Sequence, residues 1–98
     1  MTRYVSDESV EKNDKLFGGY KLAQILRMWA DAEDQAEVLT NLYRTTRDPN
    51  QRHKLFIELN GLGNYIEDDL QFAVLLRIEA IKPESQEPKP IIRRKKVK

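Results

Sequence analysis

Apolar residues recur at three- and four-residue steps over most of residues 20–81. This spacing puts them on one face of an α-helix. The longest purely apolar run, Phe72 to Leu76, is apolar on nearly every face, which favours a helix buried on several sides. The pattern predicts an all-α fold, a compact bundle of four to five short helices with disordered N- and C-terminal tails.

The first predicted helix runs from about residue 15 or 19 to residue 30. Its apolar stripe consists of Leu16, Tyr20, Ala23, Leu26 and Trp29. Acidic residues follow at positions 31–34, and such residues suit the first turn of a helix. We therefore expect a corner there and a second helix over residues 34–46. One long helix over residues 20–46 is the alternative, because the alanines at 30 and 32 would permit it.

A clear helix boundary lies at Asp48 and Pro49. The Asp48 carboxylate can accept the free amide hydrogens of a helix start, and Pro49 loses no hydrogen bond at the first helical position. The third helix is predicted to end near Leu59, where Asn60-Gly61 would supply a left-handed stop.

The last helices are predicted over residues 62–81, as a short helix at 62–67 and a longer one at 69–81. Outside this span the chain is poor in apolar periodicity, and prolines alternate with charged residues near the C-terminus. The predicted organisation is therefore a flexible N-terminal segment (1–14), a helical bundle (15–82) and an extended basic tail (83–98).

The net charge of +1 conceals a split between the body and the tail. Residues 1–81 carry ten Lys or Arg and fourteen Asp or Glu, hence −4, whereas residues 82–98 carry seven basic and two acidic residues, hence +5. Such asymmetry suggests that the tail contacts something anionic, either nucleic acid or an import receptor, although a merely solubilising tail is the alternative. The residues concerned are Arg93, Arg94, Lys95, Lys96 and Lys98.

Several classes of protein are disfavoured by composition. The chain has no cysteine and one histidine, His53, so we expect neither disulfides nor thiolate metal sites. No apolar run is long enough to span a membrane, and the N-terminus lacks the regions of a signal peptide. We expect no cofactor, no metal, no membrane partner and no enzymatic activity, in an intracellular protein (nuclear if eukaryotic, cytoplasmic if bacterial or phage).

Two further groups of residues are candidate binding sites. A secondary basic corner consists of Arg44, Arg47, Arg52 and Lys54, with a solvated helix corner as the simpler interpretation. Aromatic residues at helical spacing could line a groove for a partner helix or peptide, although such residues usually belong to the core. The half-exposed candidates for this groove are Tyr20, Trp29 and Tyr43.

The segment from Leu39 to Leu70 resembles an armadillo-like helical repeat. The resemblance rests on Leu39, Leu42, Asp48, Arg52, Phe56, Leu59, Gly61 and Leu62. Residues 20–81 look most like the small helical modules of transcription-elongation proteins, of the type of the N-terminal domain of elongation factor TFIIS or the helical segment of Set2-type histone methyltransferases. The resemblance implies a nuclear docking platform for short peptides, with the tail similar to an import signal.

The resulting expectation is a non-enzymatic protein-interaction module, adaptor or regulatory, whose basic tail serves targeting or anionic contact. The resemblance implies an association with transcription. The alternative is a small nucleic-acid-associated regulator of phage or bacterial origin that binds the phosphate backbone through the tail. A module of this size often completes its core by association, so a dimer is compatible with the sequence.

Overall fold

The computed structural model describes residues 2–88 of the 98-residue chain and is mostly helical. In chain order the elements are β1 (Arg3–Val5), α1 (Asp7–Phe17), α2 (Leu22–Thr45), α3 (Pro49–Asn64), a π-helical segment (Tyr65–Leu70), α4 (Gln71–Arg77), β2 (Ile81–Pro83) and a 3-10 turn (Glu84–Gln86). The backbone stays helical where α3, the π-helical segment and α4 meet, so they form one continuous rod. Residues 2–88 thus contain three helical rods, fewer than the predicted four to five.

The predicted corner at residues 31–34 is wrong, and α2 runs through it as one helix of 24 residues. The acidic side chains there occupy the flank of a helix instead of its first turn, and Trp29 Nε1 donates a hydrogen bond to Glu33 Oε2 at 3.1 Å. Ala32 is buried in the core, which needs an unbroken helix at that position. The alternative that the sequence leaves open, one long helix, is the correct one.

The predicted helix start at Pro49 is confirmed, although the Asp48 side chain makes no capping hydrogen bond. The predicted left-handed stop at Asn60-Gly61 is wrong. No described glycine has a positive φ angle, and the helix continues through Gly61. Leu62 and Ile66 beyond it pack in the hydrophobic core. Their burial outweighs the helix-weakening effect of a glycine, which is about 1 kcal/mol.

The third rod ends at Arg77, before the predicted residue 81. The Glu79 backbone is left-handed, with a φ of 60°. The amide of Glu79 donates to the Leu76 carbonyl at 3.2 Å and that of Ala80 to the Leu75 carbonyl at 2.9 Å. These two bonds form the usual left-handed helix termination. The left-handed position is usually a glycine, whereas here it is Glu79, so the sequence gives no signal of the helix end.

The N-terminal residues form β1 and α1 instead of the predicted flexible segment. β1 pairs in parallel with β2, with Tyr4 opposite Lys82. The segments that precede and follow the helices in the sequence are therefore joined by strand pairing. The Ser6 hydroxyl accepts a hydrogen bond from the Ser9 amide at 3.1 Å and caps α1. Phe17 at the end of α1 is buried, and the burial of this side chain stabilises the packing of α1 on the rest of the protein.

The hydrophobic core lies at one end of the molecule. Its buried residues are Phe17, Ile25, Ala32, Ile66, Leu70 and Ala73. In the fully described span of residues 33–65, no residue is buried. We call this span the distal hairpin, because it consists of the antiparallel ends of α2 and α3 with their connection, and we call the rest of the helical body the base.

Candidate interaction site

The distal hairpin exposes large hydrophobic side chains that no described part of the chain covers. Val38, Leu42, Phe56 and Ile57 are 47–58% exposed. Single exposed apolar residues are normal on protein surfaces, but several on one short hairpin are typical of a surface with a binding role. The distal hairpin is therefore a candidate interaction surface.

An open groove runs between α2 and α3 on one side of the distal hairpin. Its apolar lining comes from Leu39, Ile57, Leu62 and Tyr65. Gly61 also lines it, and a Cβ atom at this position would meet no atom within 4 Å, so the groove is open there. We call these five residues the apolar groove.

Tyr65 links the apolar groove to the core. Its ring packs against Phe17 of α1, with the ring centroids 6.4 Å apart. Burial raises the pKa of the Tyr65 hydroxyl above its usual value, and the negative charge of Asp69 and the proximity of Tyr20 raise that pKa further. The hydroxyl therefore stays protonated to a higher pH than that of a solvent-exposed tyrosine.

A second surface lies at the tip of the hairpin, where α2 passes into α3. Tyr43, Arg47, Arg52 and Phe56 line a cavity there. The Arg52 guanidinium lies over the Tyr43 ring, 4.3 Å from its centroid. This cation–π contact orders an arginine side chain beside a half-buried aromatic ring, a combination that suits an anionic partner.

The cations of the predicted basic corner make no ion pair within residues 2–88. The two ion pairs of this part of the chain, Glu11–Lys15 and Glu79–Lys82, lie elsewhere. The corner itself consists of Arg44, Arg47, Arg52 and Lys54. In the described part of the chain its positive charge is therefore not held in an ion pair, and it faces solvent or a partner.

The structure does not bring the predicted partner groove together. Tyr20 precedes α2 and packs near Phe17, with ring centroids 6.3 Å apart. Trp29 and Tyr43 lie 14 positions apart on α2, about 21 Å along the helix axis. The predicted tail contacts (Arg93, Arg94, Lys95, Lys96 and Lys98) lie outside the described residues.

Sequence reasoning missed the apolar groove. Ile57, which lines this groove, and its neighbour Phe56 are both more than half exposed. The available signal was the run from Leu55 to Ile57, because three adjacent apolar residues cannot all face one neighbouring helix.

Comparison with known proteins adds no relative: no protein-family model, no curated protein and no solved structure matches this chain. Among residues 2–88, no helix combines the length and apolar character that crossing a bilayer requires.

Proposed function

We propose that this protein is a non-enzymatic protein-interaction module, adaptor or regulatory, that docks a partner in the apolar groove. One observation carries the proposal: no residue in positions 33–65 is buried, although this span is rich in large hydrophobic side chains. A partner that covers the groove would remove this apolar surface from water, which is favourable by about 25 cal/mol per Å².

The shape of the groove favours an amphipathic helix as the docked segment. Two antiparallel helices leave a channel between them, and a third helix lies in such a channel with its apolar face inward. Gly61 contributes no side chain to the wall, which lets a partner backbone approach closely. A role in transcription, which the resemblance to elongation-factor modules implies, extends this proposal.

The test compares two exposed hydrophobic positions on the same hairpin. Ile57 lines the apolar groove, whereas Val38 does not line it and is equally exposed. A photo-crosslinking residue at position 57 is expected to capture a defined partner in cells, and the same residue at position 38 is not. Capture should be lost with Leu39→Glu in the background, since Leu39 lines the groove without belonging to the core cluster, and equal capture from both positions contradicts the proposal.

A second candidate function is nucleic-acid binding, which the unpaired basic corner beside Tyr43 and Phe56 favours. Arginines would neutralise phosphates and aromatic rings would stack on bases. The basic tail residues proposed from the sequence would add further phosphate contacts to those of the basic corner. Titration of the full chain with single-stranded DNA at low and high salt tests it.

Salt-sensitive binding that Arg47→Gln and Arg52→Gln weaken supports this candidate. A chain that ends at Lys82 separates the contribution of the tail from that of the tip. Lack of binding at low salt by the full chain removes nucleic acid from consideration.

A further inference from the structure

We propose that two copies of this chain associate in antiparallel fashion through the face of α2 that carries Glu33, Glu37, Thr40 and Arg44, so that the basic tip of each copy meets the acidic segment of the other. This surface is different from the apolar groove. The partner is a second copy of the chain, so the inference goes beyond the proposed docking function.

The four residues lie on one side of α2. They follow at steps of four, three and four, which keeps them on one helical face, and they line one shallow depression. The charge along this face changes sign, from Glu33 and Glu37 near the base to Arg44 at the tip. Glu33 accepts a hydrogen bond from Trp29 through one carboxylate oxygen, which leaves the other oxygen available.

A face with opposite charges at its two ends is complementary to itself when it is reversed. If Glu33 lies opposite Arg44 of the second copy, the same register puts Glu37 opposite Thr40 and repeats both pairings by symmetry. The two-fold axis then passes between residues 38 and 39. Closed two-fold pairs of this kind are the commonest form of protein self-association.

The tip adds an apolar centre to this arrangement. Arg52 stacks on Tyr43, which places these two residues at the same level of the hairpin. One turn further from the tip, Phe56 on α3 is level with residues 39 and 40 of α2, close to the two-fold axis. Because Phe56 is 56% exposed and lines the tip cavity, the two copies of this ring would meet at the axis.

Charge complementarity selects a second copy over an unrelated occupant. Arg44 and Arg47 make no ion pair in the described part of the chain, and neither do Glu33 and Glu37. In the register given above, Glu33 of each copy is the counterpart of Arg44 of the other, so the opposite charges pair twice. An apolar centre with charged surroundings is also the usual anatomy of a protein interface.

The size of the face predicts a weak, reversible dimer. The register pairs Thr45, the last residue of α2, with Ala32, so the paired part of α2 is about 20 Å long. Two helices side by side are roughly 20 Å wide, which gives on the order of 400 Å² for each copy. That area is at the low end for specific complexes. Its exposed ion pairs should also weaken as salt rises.

The experiment is sedimentation equilibrium of the full chain over a concentration series, with two charge-reversed variants. The tip variant carries Arg44→Glu and Arg47→Glu, and the acidic variant carries Glu33→Lys and Glu37→Lys. We expect the wild type to dimerise and each variant alone to show a dissociation constant raised about tenfold or more, because like charges now face each other. An equimolar mixture of the two variants should regain the wild-type constant.

Matched controls keep this test independent of folding and net charge. Lys12→Glu with Lys15→Glu on α1 makes the charge change of the tip variant at exposed positions away from the hairpin, and should leave the dissociation constant unchanged. Circular dichroism checks the helix content of every variant. A wild type that stays monomeric throughout, or a mixture that fails to regain association, overturns the proposal and leaves crosslinking at position 57 unaffected.

Discussion

The base and the distal hairpin are built from the same helices, yet only the base has a hydrophobic core. Ile25 on α2 and Leu70 on the third rod have no exposed surface, whereas Leu42 and Ile57 on the hairpin are about half exposed. The difference arises because α1 packs mainly against α4 and β2 and so adds a third layer at the base alone. Most of residues 33–65 therefore lies beyond the core, and Leu62 and Tyr65 near the end of this span still pack against it.

The largest expected effect comes from the same substitution in the two regions. Ile25→Ala should lower the free energy of unfolding by about 2 to 5 kcal/mol, because it leaves a cavity in the core. Ile57→Ala should change it by less than about 0.5 kcal/mol, because the side chain is already in water. Urea unfolding of both variants measures the difference, and equal losses would contradict the division into two regions.

The second prediction concerns the attachment of α1, which makes the base a three-layer region. Asn13 is the buried polar side chain of α1, and its Nδ2 donates to the Asp69 carbonyl at 2.9 Å. Asn13→Ala should lower the free energy of unfolding by about 1 to 3 kcal/mol, since the part-buried Asp69 carbonyl loses its donor. Thermal unfolding measures this loss, and the exposed Lys12→Ala is the control, for which a similar loss would refute the role given to Asn13.

The third prediction tests whether the hairpin is helical through its glycines. Gly61→Ala should raise the free energy of unfolding by about 0.5 to 1 kcal/mol, because alanine suits a helix better and its Cβ would contact nothing. Gly18→Ala is the opposite case, because its Cβ would lie 2.5 Å from the Asp14 carbonyl oxygen and should destabilise the chain. Destabilisation by Gly61→Ala would instead indicate a left-handed residue and a helix stop.

The smallest expected effect concerns pH, at the boundary between the two regions. The folded state raises the pKa of Tyr65 above 10.0, chiefly by burial. Above about pH 10, Tyr65 ionises in the unfolded chain while it is still neutral in the folded one. The contribution of Tyr65 to stability is therefore fully present below about pH 10 and is lost as the pH rises through the folded pKa. Tyr65→Phe should flatten this alkaline loss in unfolding measurements across the range, and an unchanged slope would show that Tyr65 is not responsible.

The sequence predicts the helical class and the start of α3 because both depend on local signals. Apolar spacing defines the helices, and Pro49 can occupy the first position of a helix without losing a hydrogen bond. The basic corner at the tip likewise follows from residues close together in the chain. These features need no knowledge of distant contacts.

The helix boundaries that were wrong depend on contacts between distant residues. Gly61 is helical because Leu62 and Ile66 beyond it pack in the core, and α1 is ordered because Phe17 reaches the same core. The end of the third rod is set at Glu79, whose left-handed backbone has no signature in the sequence. The apolar groove was missed for the same reason, since it exists only once α2 and α3 lie side by side.

Hydrogen exchange of α2 amides tests the division into base and distal hairpin most directly. It should be measured at a concentration where the chain is monomeric, so that self-association does not protect the tip. Amides of residues 25–32 are predicted to exchange only through global unfolding, whereas those of residues 38–45 should exchange through local opening, with a clearly lower free energy. Equal protection along the whole of α2 would contradict the account.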